Sequence, residues 1–235
     1  MIDYRVAAER FRTVAEGRTT WHSFSFGAHY DPGNVGFGSL VAHNDEVLPP
    51  GTGYPDHPHT DLEIVTWVLS GALRHSSSVG SGLIGPGQVQ RLSAGSGVVH
   101  SEVADSAEET RFVQAWVRPD EPGLVPDYLS REVSMGSGWT CLADGDGADG
   151  ADGAVALAAH GTSLHAADLA RGERLAVPEA PRLHVFVARG CAMLGERRLD
   201  AGDAARLLDE GGRLVTAEED SHLVVWSFAG ERGAL

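Results

Sequence analysis

The sequence predicts an all-β protein, a sandwich or a barrel, and three observations support this fold class. Short runs rich in β-branched and aromatic residues recur along the chain, as in residues 62–69, 111–117 and 223–228. Turn-forming residues separate these runs, and the chain contains 30 glycines and 11 prolines. Almost no segment shows the long hydrophobic period of an amphipathic helix. Strands joined by short turns are typical of sandwiches and barrels.

The strands predicted in the first half are short and end at clear turns. Residues 1–20 are polar and indicate a short edge strand followed by a turn. Residues 21–26 alternate aromatic and polar side chains, as a half-buried strand does. Residues 37–41 form another apolar run, and Pro49, Pro50 and Gly51 interrupt the chain after it. Residues 62–69 form the strongest strand, and residues 98–102 and 111–117 complete the set.

The second half repeats this pattern more loosely. Residues 183–187 and 223–228 predict strands, with turns at residues 189–190 and 201–204. A short helix is predicted within residues 159–174, with Ser163 as its cap. The similar order of strands and turns in the two halves predicts two related β domains, residues 1–135 and 136–235, joined near residues 135–150.

An acidic, glycine-rich tract occupies residues 144–153 and favours a solvated loop over a packed element. Part of it is similar to a calcium-binding loop. Counting from Asp144, however, Ala148 stands at the fifth position and Val155 at the twelfth. A calcium loop needs an oxygen ligand at the first of these positions and a bidentate glutamate at the second. The tract therefore predicts a loop without a calcium site.

Charge and composition restrict the partners that the protein can bind. The chain has 18 basic and 33 acidic residues, a net charge of −15, and every basic residue is an arginine. Surfaces that bind nucleic-acid backbones or anionic membranes are basic. We therefore expect no direct binding to nucleic acid or to membranes, and we expect small molecules or other proteins as partners.

Cysteine usage and apolar run lengths predict a cytoplasmic protein. Cys141 and Cys191 are too few for a disulfide framework and do not form a C-x-x-C pair. No run approaches the ~18 consecutive apolar residues of a membrane-spanning helix, and the first residues lack the apolar stretch of a signal peptide. These features favour a soluble protein in a reducing compartment.

Two histidine-containing pairs carry the strongest functional signal. His57 and His59 flank a proline, and His100 is followed two residues later by Glu102. Residues two apart in a strand face the same side, so each pair can converge on one point. Imidazoles and a carboxylate bind divalent iron, nickel, copper, manganese or zinc. An isolated His-x-His is common on surface loops, but two such pairs predict a metal site with open coordination positions.

Three other polar residues lie at positions suited to this site. Glu63 shares strand parity with the first pair and is expected either near the metal itself or as an acceptor that orients a ligand imidazole. Gln114 and Trp116 alternate on a predicted strand and can line a pocket, although core packing is the stronger expectation for Trp116.

The remaining histidines show no such pairing. In the first half, we interpret His22, His43 and His75 as ordinary surface or hydrogen-bonded histidines. The second half contains His160, His165, His184 and His222. His160 and His165 lie five residues apart, a spacing that suits neither a strand nor one face of a helix. We therefore predict no metal site of this kind in the second half.

The quoted blocks resemble the pirin family of the cupin superfamily. The segment from Gly51 through the His57–His59 pair and Glu63 to Gly71 is similar to the first cupin motif in its pirin form. Further blocks that carry the resemblance are residues 21–26, 30–32, 44–45, 85–90, 93–102 and 114–117. Together the blocks cover most of residues 20–130.

The resemblance implies two cupin β-barrels side by side, with a few short helices and a metal ion only in the N-terminal barrel. In pirins the His-x-His pair and the His-Ser-Glu block bind the metal, which implies His57, His59, His100 and Glu102 here. Glu63 matches a ligand of many other cupins, but not of pirins. The ion is expected to be divalent, Fe(II) before the alternatives nickel, copper, cobalt, manganese and zinc.

The resemblance also implies an enzyme that cleaves flavonols. Some pirin-like proteins are flavonol 2,4-dioxygenases, commonly called quercetin 2,3-dioxygenases. The flavonol 3-hydroxyl would bind an open metal position, which favours loss of its proton. Glu102 would accept that proton as a general base when it loosens from the metal. The flavonol anion then reacts with dioxygen, the ring opens and carbon monoxide leaves.

Two alternatives stay open at this stage. Other pirins are similar to non-enzymatic regulators, in which the oxidation state of the metal changes the surface offered to a partner protein. A net charge of −15 suits a basic partner. The third alternative is a metal-binding β protein whose ligand is unrelated to flavonols. We favour the dioxygenase, because a substrate needs the open coordination positions.

Overall fold

The computed structural model describes residues 1–147 and 154–230 and confirms the all-β fold class. Only one helix lies in the described residues, the 3-10 helix Ala7–Glu9, where a few were expected. Most of the acidic tract, residues 148–153, lies outside the described residues. The strands are β1 Ile2–Arg5, β2 Phe11–Ala15, β3 Arg18–His22, β4 Leu40–Leu48, β5 Gly53–His59, β6 Glu63–Ser70, β7 Leu73–Ser77, β8 Gly80–Ile84, β9 Gln88–Ser93, β10 Val98–Ala104, β11 Thr110–Val117, β12 Asp127–Glu132, β13 Thr140–Asp144, β14 Val155–Ala156, β15 Thr162–Leu169, β16 Arg174–Ala176, β17 Arg182–Arg189, β18 Cys191–Leu194, β19 Arg197–Asp200, β20 Ala204–Leu208, β21 Leu214–Ala217 and β22 Ser221–Phe228.

The strands form two compact units, and the four candidate metal ligands belong to the N-terminal one. This N-terminal unit comprises residues 11–133 and 147–159, and the C-terminal unit comprises residues 1–10, 134–146 and 160–235. Residues 1–10 belong to the C-terminal unit because β1 pairs with β20, Ile2 opposite Leu207. A division into two domains near residue 135 stays a prediction.

The N-terminal unit consists of two antiparallel sheets. The larger has the strand order β12-β9-β6-β11-β4-β3-β2, and the smaller has the order β5-β10-β7-β8. Aliphatic and aromatic side chains from both sheets pack together, among them Val68 and Phe112 from the larger and Leu73 and Ala104 from the smaller. This packing holds the two sheets face to face and leaves their inward-pointing polar residues close together.

The C-terminal unit is built from strands of the same kind. Strands β1, β20, β17, β22, β15 and β13 are hydrogen-bonded neighbours in that order, and β16, β21, β18 and β19 form a second sheet. One core cluster includes Leu183 and Val225 from the first set and Leu194 and Val215 from the second. The space between these two sets of strands is therefore filled by aliphatic side chains.

The helix expected within residues 159–174 is wrong. Those residues include β15, which pairs with β22 along its whole length and with β13 on its other side. Thr162, Leu164 and Ala166 are buried and alternate with partly exposed neighbours, a period of two rather than a helical period. Pairing on both edges supplies the backbone hydrogen bonds, and this tertiary context outweighs the helical propensity of alanine and leucine.

The other predicted strands appear with shifted bounds. Residues 62–69, 98–102, 111–117, 183–187 and 223–228 all fall within strands, apart from residue 62. The strand expected at residues 21–26 ends at His22, and only Phe26 continues as an isolated bridge to His29. Within residues 1–147 and 154–230, no helix has the length and hydropathy needed to cross a membrane.

Candidate metal centre

The two histidine-containing pairs lie on adjacent strands of the smaller sheet in the N-terminal unit. His57 and His59 end β5, and His100 and Glu102 lie on β10, with His100 directly opposite His57. The register shifts between His100 and Glu102, so that Glu102 lies opposite Tyr54. This irregularity bends β5 locally, a feature that often re-aims side chains beside functional sites.

Three imidazoles from these strands form a compact cluster. The ring centroids are 4.3 Å apart for His57 and His100, 4.8 Å for His57 and His59, and 5.1 Å for His59 and His100. One ring nitrogen from each of the three lies within 4.8 Å of the other two. A single ion between them would therefore need only small side-chain adjustments to reach all three.

Hydrogen bonding leaves ring nitrogens available in this cluster. His57 Nδ1 lies 2.8 Å from the carbonyl oxygen of Pro55, to which it can donate, and this leaves Nε2 with its lone pair. His100 is 1% exposed, and neither of its ring nitrogens has a hydrogen-bond partner. A buried polar atom without a partner costs roughly 1–3 kcal/mol. A bound cation would remove that cost for one nitrogen of His100.

Burial keeps the cluster in the protonation state that metal binding requires. Burial, together with the charge of His57, lowers the pKa of His59 to about 4. Burial, with the charges of the neighbouring histidines, lowers the pKa of His100 to about 3. Both rings are therefore neutral at pH 7 and offer lone pairs, as ligands of a divalent ion must.

Glu102 is a buried carboxylate held by two amides. Gln114 Nε2 donates to both of its oxygens, at 3.0 and 2.9 Å, and Gln90 Nε2 donates to Oε1 at 3.1 Å. Both amides also lie 3.2 Å from Thr66 Oγ1, which fixes their orientation. Burial raises the pKa of Glu102 to about 7, although both amides favour its ionised form. A cation nearby would favour ionisation further.

His75 adds a fourth histidine that the sequence analysis did not select. It lies opposite Glu102 on β7, is fully buried, and stacks on Tyr128 with ring centroids 4.5 Å apart. Neither of its ring nitrogens has a hydrogen-bond partner. Ligand atoms of His75, His100 and Glu102 form a second group within 4.8 Å. The interpretation of His75 as an ordinary surface or hydrogen-bonded histidine is therefore wrong.

The cluster opens into a cavity of about 500 Å³ within the N-terminal unit. This volume falls in the roughly 300–1,000 Å³ range of small-molecule sites. His57, His59 and Glu102 line it, whereas His100 lies buried behind them. Gln114 and Trp116 also line it, so Trp116 faces the cavity as well as contacting apolar neighbours. Trp116 lies edge-on to His59, with ring centroids 4.8 Å apart, and 5.0 Å from Phe26.

Inward-pointing polar residues continue across the larger sheet. Asn44 lies opposite Gln114, and His22 lies opposite Asn44 on the next strand. His22 Nδ1 is 3.0 Å from Asn44 Oδ1, and its Nε2 is 2.8 Å from Thr13 Oγ1. His22 is buried and lines the cavity, so it is a hydrogen-bonded histidine of the site rather than a surface residue.

Glu63 does not lie where strand parity placed it. Its Oε2 accepts a hydrogen bond from Ser93 Oγ at 2.9 Å, and it does not line the cavity. The acceptor that orients His57 is instead the carbonyl oxygen of Pro55. The prediction from strand parity failed because residues 60–62 interrupt the strand between His59 and Glu63, and Asp61 has a positive φ of 52°. The two segments thus belong to different sheets.

The other histidines lie outside this centre. His43 is fully buried on β4, and its Nδ1 lies 3.4 Å from Ser23 Oγ, so it is a hydrogen-bonded histidine and not a surface one. In the C-terminal unit, His160 pairs with Asp146, and His222 Nδ1 lies 2.9 Å from Asp168 Oδ1. Both groups of metal-ligating side chains found among the described residues belong to the N-terminal unit.

The donor set fits a divalent metal ion. It combines neutral imidazoles, an imidazole with two unpartnered nitrogens and a buried carboxylate, all beside a cavity that small molecules can enter.

Fold and site together define a class of protein, the two-unit cupin with a histidine-rich site in its N-terminal unit. Sequence comparison then shows that the chain belongs to the pirin family. The Pirin family model matches residues 5–117, and the model of the quercetinase C-terminal cupin domain matches residues 147–226.

Individual relatives support the same family. A protein of Mycobacterium tuberculosis, provisionally assigned as a quercetin 2,3-dioxygenase, is 44% identical and covers 99% of this chain and 97% of its own. A quercetin 2,3-dioxygenase of Escherichia coli K12 is 32% identical over 97% of this chain and 99% of its own. The crystal structure of the bacterial pirin YhhW from Escherichia coli in complex with nickel(II) is 29% identical, with a TM-score of 0.89, and the match covers 98% of this chain and 100% of that one. The predicted fold of two cupin units is confirmed.

Proposed function

We propose that the protein is a metal-dependent dioxygenase that cleaves flavonols such as quercetin with O2. One observation carries the proposal: three clustered imidazoles and the buried Glu102 lie beside a cavity of about 500 Å³ whose wall includes Trp116 and Phe26. Such a cavity suits a planar aromatic molecule, because aromatic side chains stack on its faces. The quercetin 2,3-dioxygenases among the relatives support this substrate class.

His57, His59, His100 and Glu102 would hold one divalent ion, Fe(II) before nickel, copper, cobalt, manganese or zinc. When bound, the ion would supply Lewis acidity that favours loss of the proton from a flavonol 3-hydroxyl. The chain has only two cysteines, Cys141 and Cys191, which agrees with a reducing, cytoplasmic setting in which Fe(II) persists.

Glu102 is the group that takes the proton from the substrate hydroxyl. A bound cation would favour the ionised form of Glu102, which is the form that accepts a proton. The amides of Gln114 and Gln90 donate to its oxygens and hold the carboxylate in place. They also stabilise its ionised form before the transfer. Trp116 and Phe26 hold the ring system and exclude water from the reacting oxygen.

Loss of the visible absorption band of quercetin under air tests this proposal. Protein stripped with a chelator and reloaded with Fe(II), Ni(II) or Mn(II) should bleach the band, and His59→Ala and Glu102→Ala should reduce the rate by at least about 100-fold. Elemental analysis of each protein should show less metal in both variants. Glu63→Gln is the matched control, because Glu63 is a buried glutamate of the same unit that does not line the cavity. Glu63→Gln should retain both activity and metal. If the wild type bleaches the quercetin band with none of the three ions, the proposal is overturned.

A regulator acting through a partner protein is the second candidate, and the net charge of −15 favours a basic partner. This candidate predicts no flavonol turnover and a stable complex that forms only with the metal-loaded protein. Pull-down with wild type and His59→Ala, each in chelator and in Fe(II), separates the two functions.

A further inference from the structure

The cavity contains a second buried carboxylate, Glu46, which the proposed chemistry does not use. Glu46 lies on β4 of the larger sheet, is 2% exposed, and lines the same cavity as His57 and Glu102. No arginine or histidine of the described residues forms an ion pair with it. A buried glutamate without a cationic partner is uncommon, because its charged form loses hydration. Such a group beside a ligand cavity therefore needs a role.

Two hydroxyl groups hold one oxygen of this carboxylate. Thr20 Oγ1 donates to Glu46 Oε2 at 2.6 Å, and Tyr54 Oη donates to the same oxygen at 2.8 Å. Arg18 lies over the ring of Tyr54, 4.3 Å from its centroid, which fixes that ring in place. Among the described residues, no hydrogen-bond donor reaches Oε1. The carboxylate is therefore positioned precisely enough to bind a ligand and still has an oxygen free to accept a hydrogen bond.

Tyr54 also relates this carboxylate to the histidine cluster. The ring centroid of Tyr54 lies 6.0 Å from that of His57, and the Tyr54 hydroxyl donates a hydrogen bond to Glu46. Tyr54 thus links Glu46 to the cluster, and Glu46, Tyr54, His57 and His59 all line the same cavity. A fused-ring molecule with one oxygen at His57 and His59 can place another hydroxyl at Glu46, while its faces contact the apolar residues of the cavity.

We propose that Glu46 is a specificity-determining residue, which accepts a hydrogen bond at Oε1 from a second phenolic hydroxyl of the flavonol. This inference rests on the proposed flavonol-cleaving function. A site built to bind a hydroxyl discriminates against an analogue that lacks it, because the buried acceptor is then left without a partner. Burial also raises the pKa of Glu46 to about 7, and the protein's own donors do not offset this, so a donor from the substrate would stabilise the ionised form.

Binding of two flavonols tests the proposal without turnover. Quercetin has phenolic hydroxyls on its outer rings, and 3-hydroxyflavone has only the 3-hydroxyl. Each is titrated into metal-loaded protein with air excluded, and Kd is taken from the quenching of tryptophan fluorescence. The preference for quercetin is the Kd of 3-hydroxyflavone divided by the Kd of quercetin. In Glu46→Leu this ratio should fall by about 10- to 100-fold, the range expected for loss of a hydrogen bond to a charged group. Glu46→Gln, which keeps an acceptor oxygen, should give an intermediate ratio.

Glu63→Leu and Glu63→Gln are the matched controls, because they change a buried glutamate outside the cavity. They should leave the ratio at the wild-type value. Thermal unfolding of every variant shows that it is folded, and Glu46→Gln keeps the test valid if Glu46→Leu does not fold. A wild-type ratio in both Glu46 variants would overturn the role of Glu46 and leave the flavonol function intact. If neither flavonol binds to the wild type, both proposals are overturned.

Discussion

The two units use similar paired sheets but fill the space between them differently. In the C-terminal unit, aliphatic side chains such as Leu183, Val185 and Val225 form a continuous core. In the N-terminal unit, the inward face of the larger sheet carries Gln114 and Glu46 and borders a cavity. The comparison teaches that a barrel of this size either packs its interior or holds a ligand, depending on the inward residues of a few strands.

Removal of a core side chain should have the largest effect, and it should act on stability. Leu183 is fully buried in the C-terminal core, so Leu183→Ala should lower the free energy of unfolding by about 2–5 kcal/mol, through lost burial and the cavity left behind. Urea denaturation followed by circular dichroism measures this. A change below about 1 kcal/mol would contradict the assignment of Leu183 to a closely packed core.

Gln114→Leu should show the opposite behaviour, a large effect on the site and a small one on stability. The substitution removes the amide that donates to both oxygens of Glu102. Loss of a group that orients a metal ligand typically lowers metal affinity about 10- to 100-fold. Competition with a chromophoric chelator measures the affinity. Unchanged affinity would show that Gln90 alone holds Glu102.

Glu46→Gln should alter how stability depends on pH. Burial raises the pKa of Glu46 to about 7, above its ordinary value of 4.5, so the folded state holds the proton more tightly than the unfolded state. The tighter binding of this proton stabilises the folded state fully below pH 4.5, and this contribution to the free energy of unfolding is lost as the pH rises through 7. Between pH 4.5 and 7.5 the wild type should therefore lose about 3 kcal/mol relative to Glu46→Gln.

The measurement is urea denaturation of both proteins at several pH values, with a chelator present throughout. Parallel stability curves for the two proteins would show that Glu46 has the same pKa when folded and unfolded. A loss in the wild type that is already complete well below pH 7 would place the pKa of Glu46 in the folded state closer to 4.5 than to 7.

His75→Phe should have the smallest effect on the free energy of unfolding. Phenylalanine preserves stacking on Tyr128 and removes two buried nitrogens that have no hydrogen-bond partner. Stability should stay within about 1 kcal/mol of the wild type or rise. Thermal unfolding in chelator tests this. A loss greater than 2 kcal/mol would mean that a ring nitrogen of His75 stabilises the fold without metal.

Sequence reasoning identified the parts of the site that depend on local periodicity. The pairs His57–His59 and His100–Glu102 follow from a period of two within single strands, and the structure places them on neighbouring strands. The assignment of a metal to them stays a proposal. The strands rich in β-branched and aromatic residues were predicted from their composition and from the turn residues that end them, which are also local features of the sequence.

The residues that were missed depend on contacts between distant strands. His75 reaches the site because β7 pairs with β10, and Glu46 does so through Thr20 and Tyr54 on two other strands. Strand register and pairing order cannot be derived from the composition of each strand. One signal was present: residues 43–46 are four consecutive polar residues, all buried within β4, and such a run is unusual for a central strand.

The pairing of β1 with β20 has a consequence for how the chain folds during its synthesis. The ribosome makes Ile2 about 200 residues before Leu207, which lies opposite it. The strands of the N-terminal unit can associate in between, since their partners have all emerged by residue 159. The first strand must stay unpaired while about 200 residues are added, and closure of its sheet becomes a late folding step with a large loop entropy.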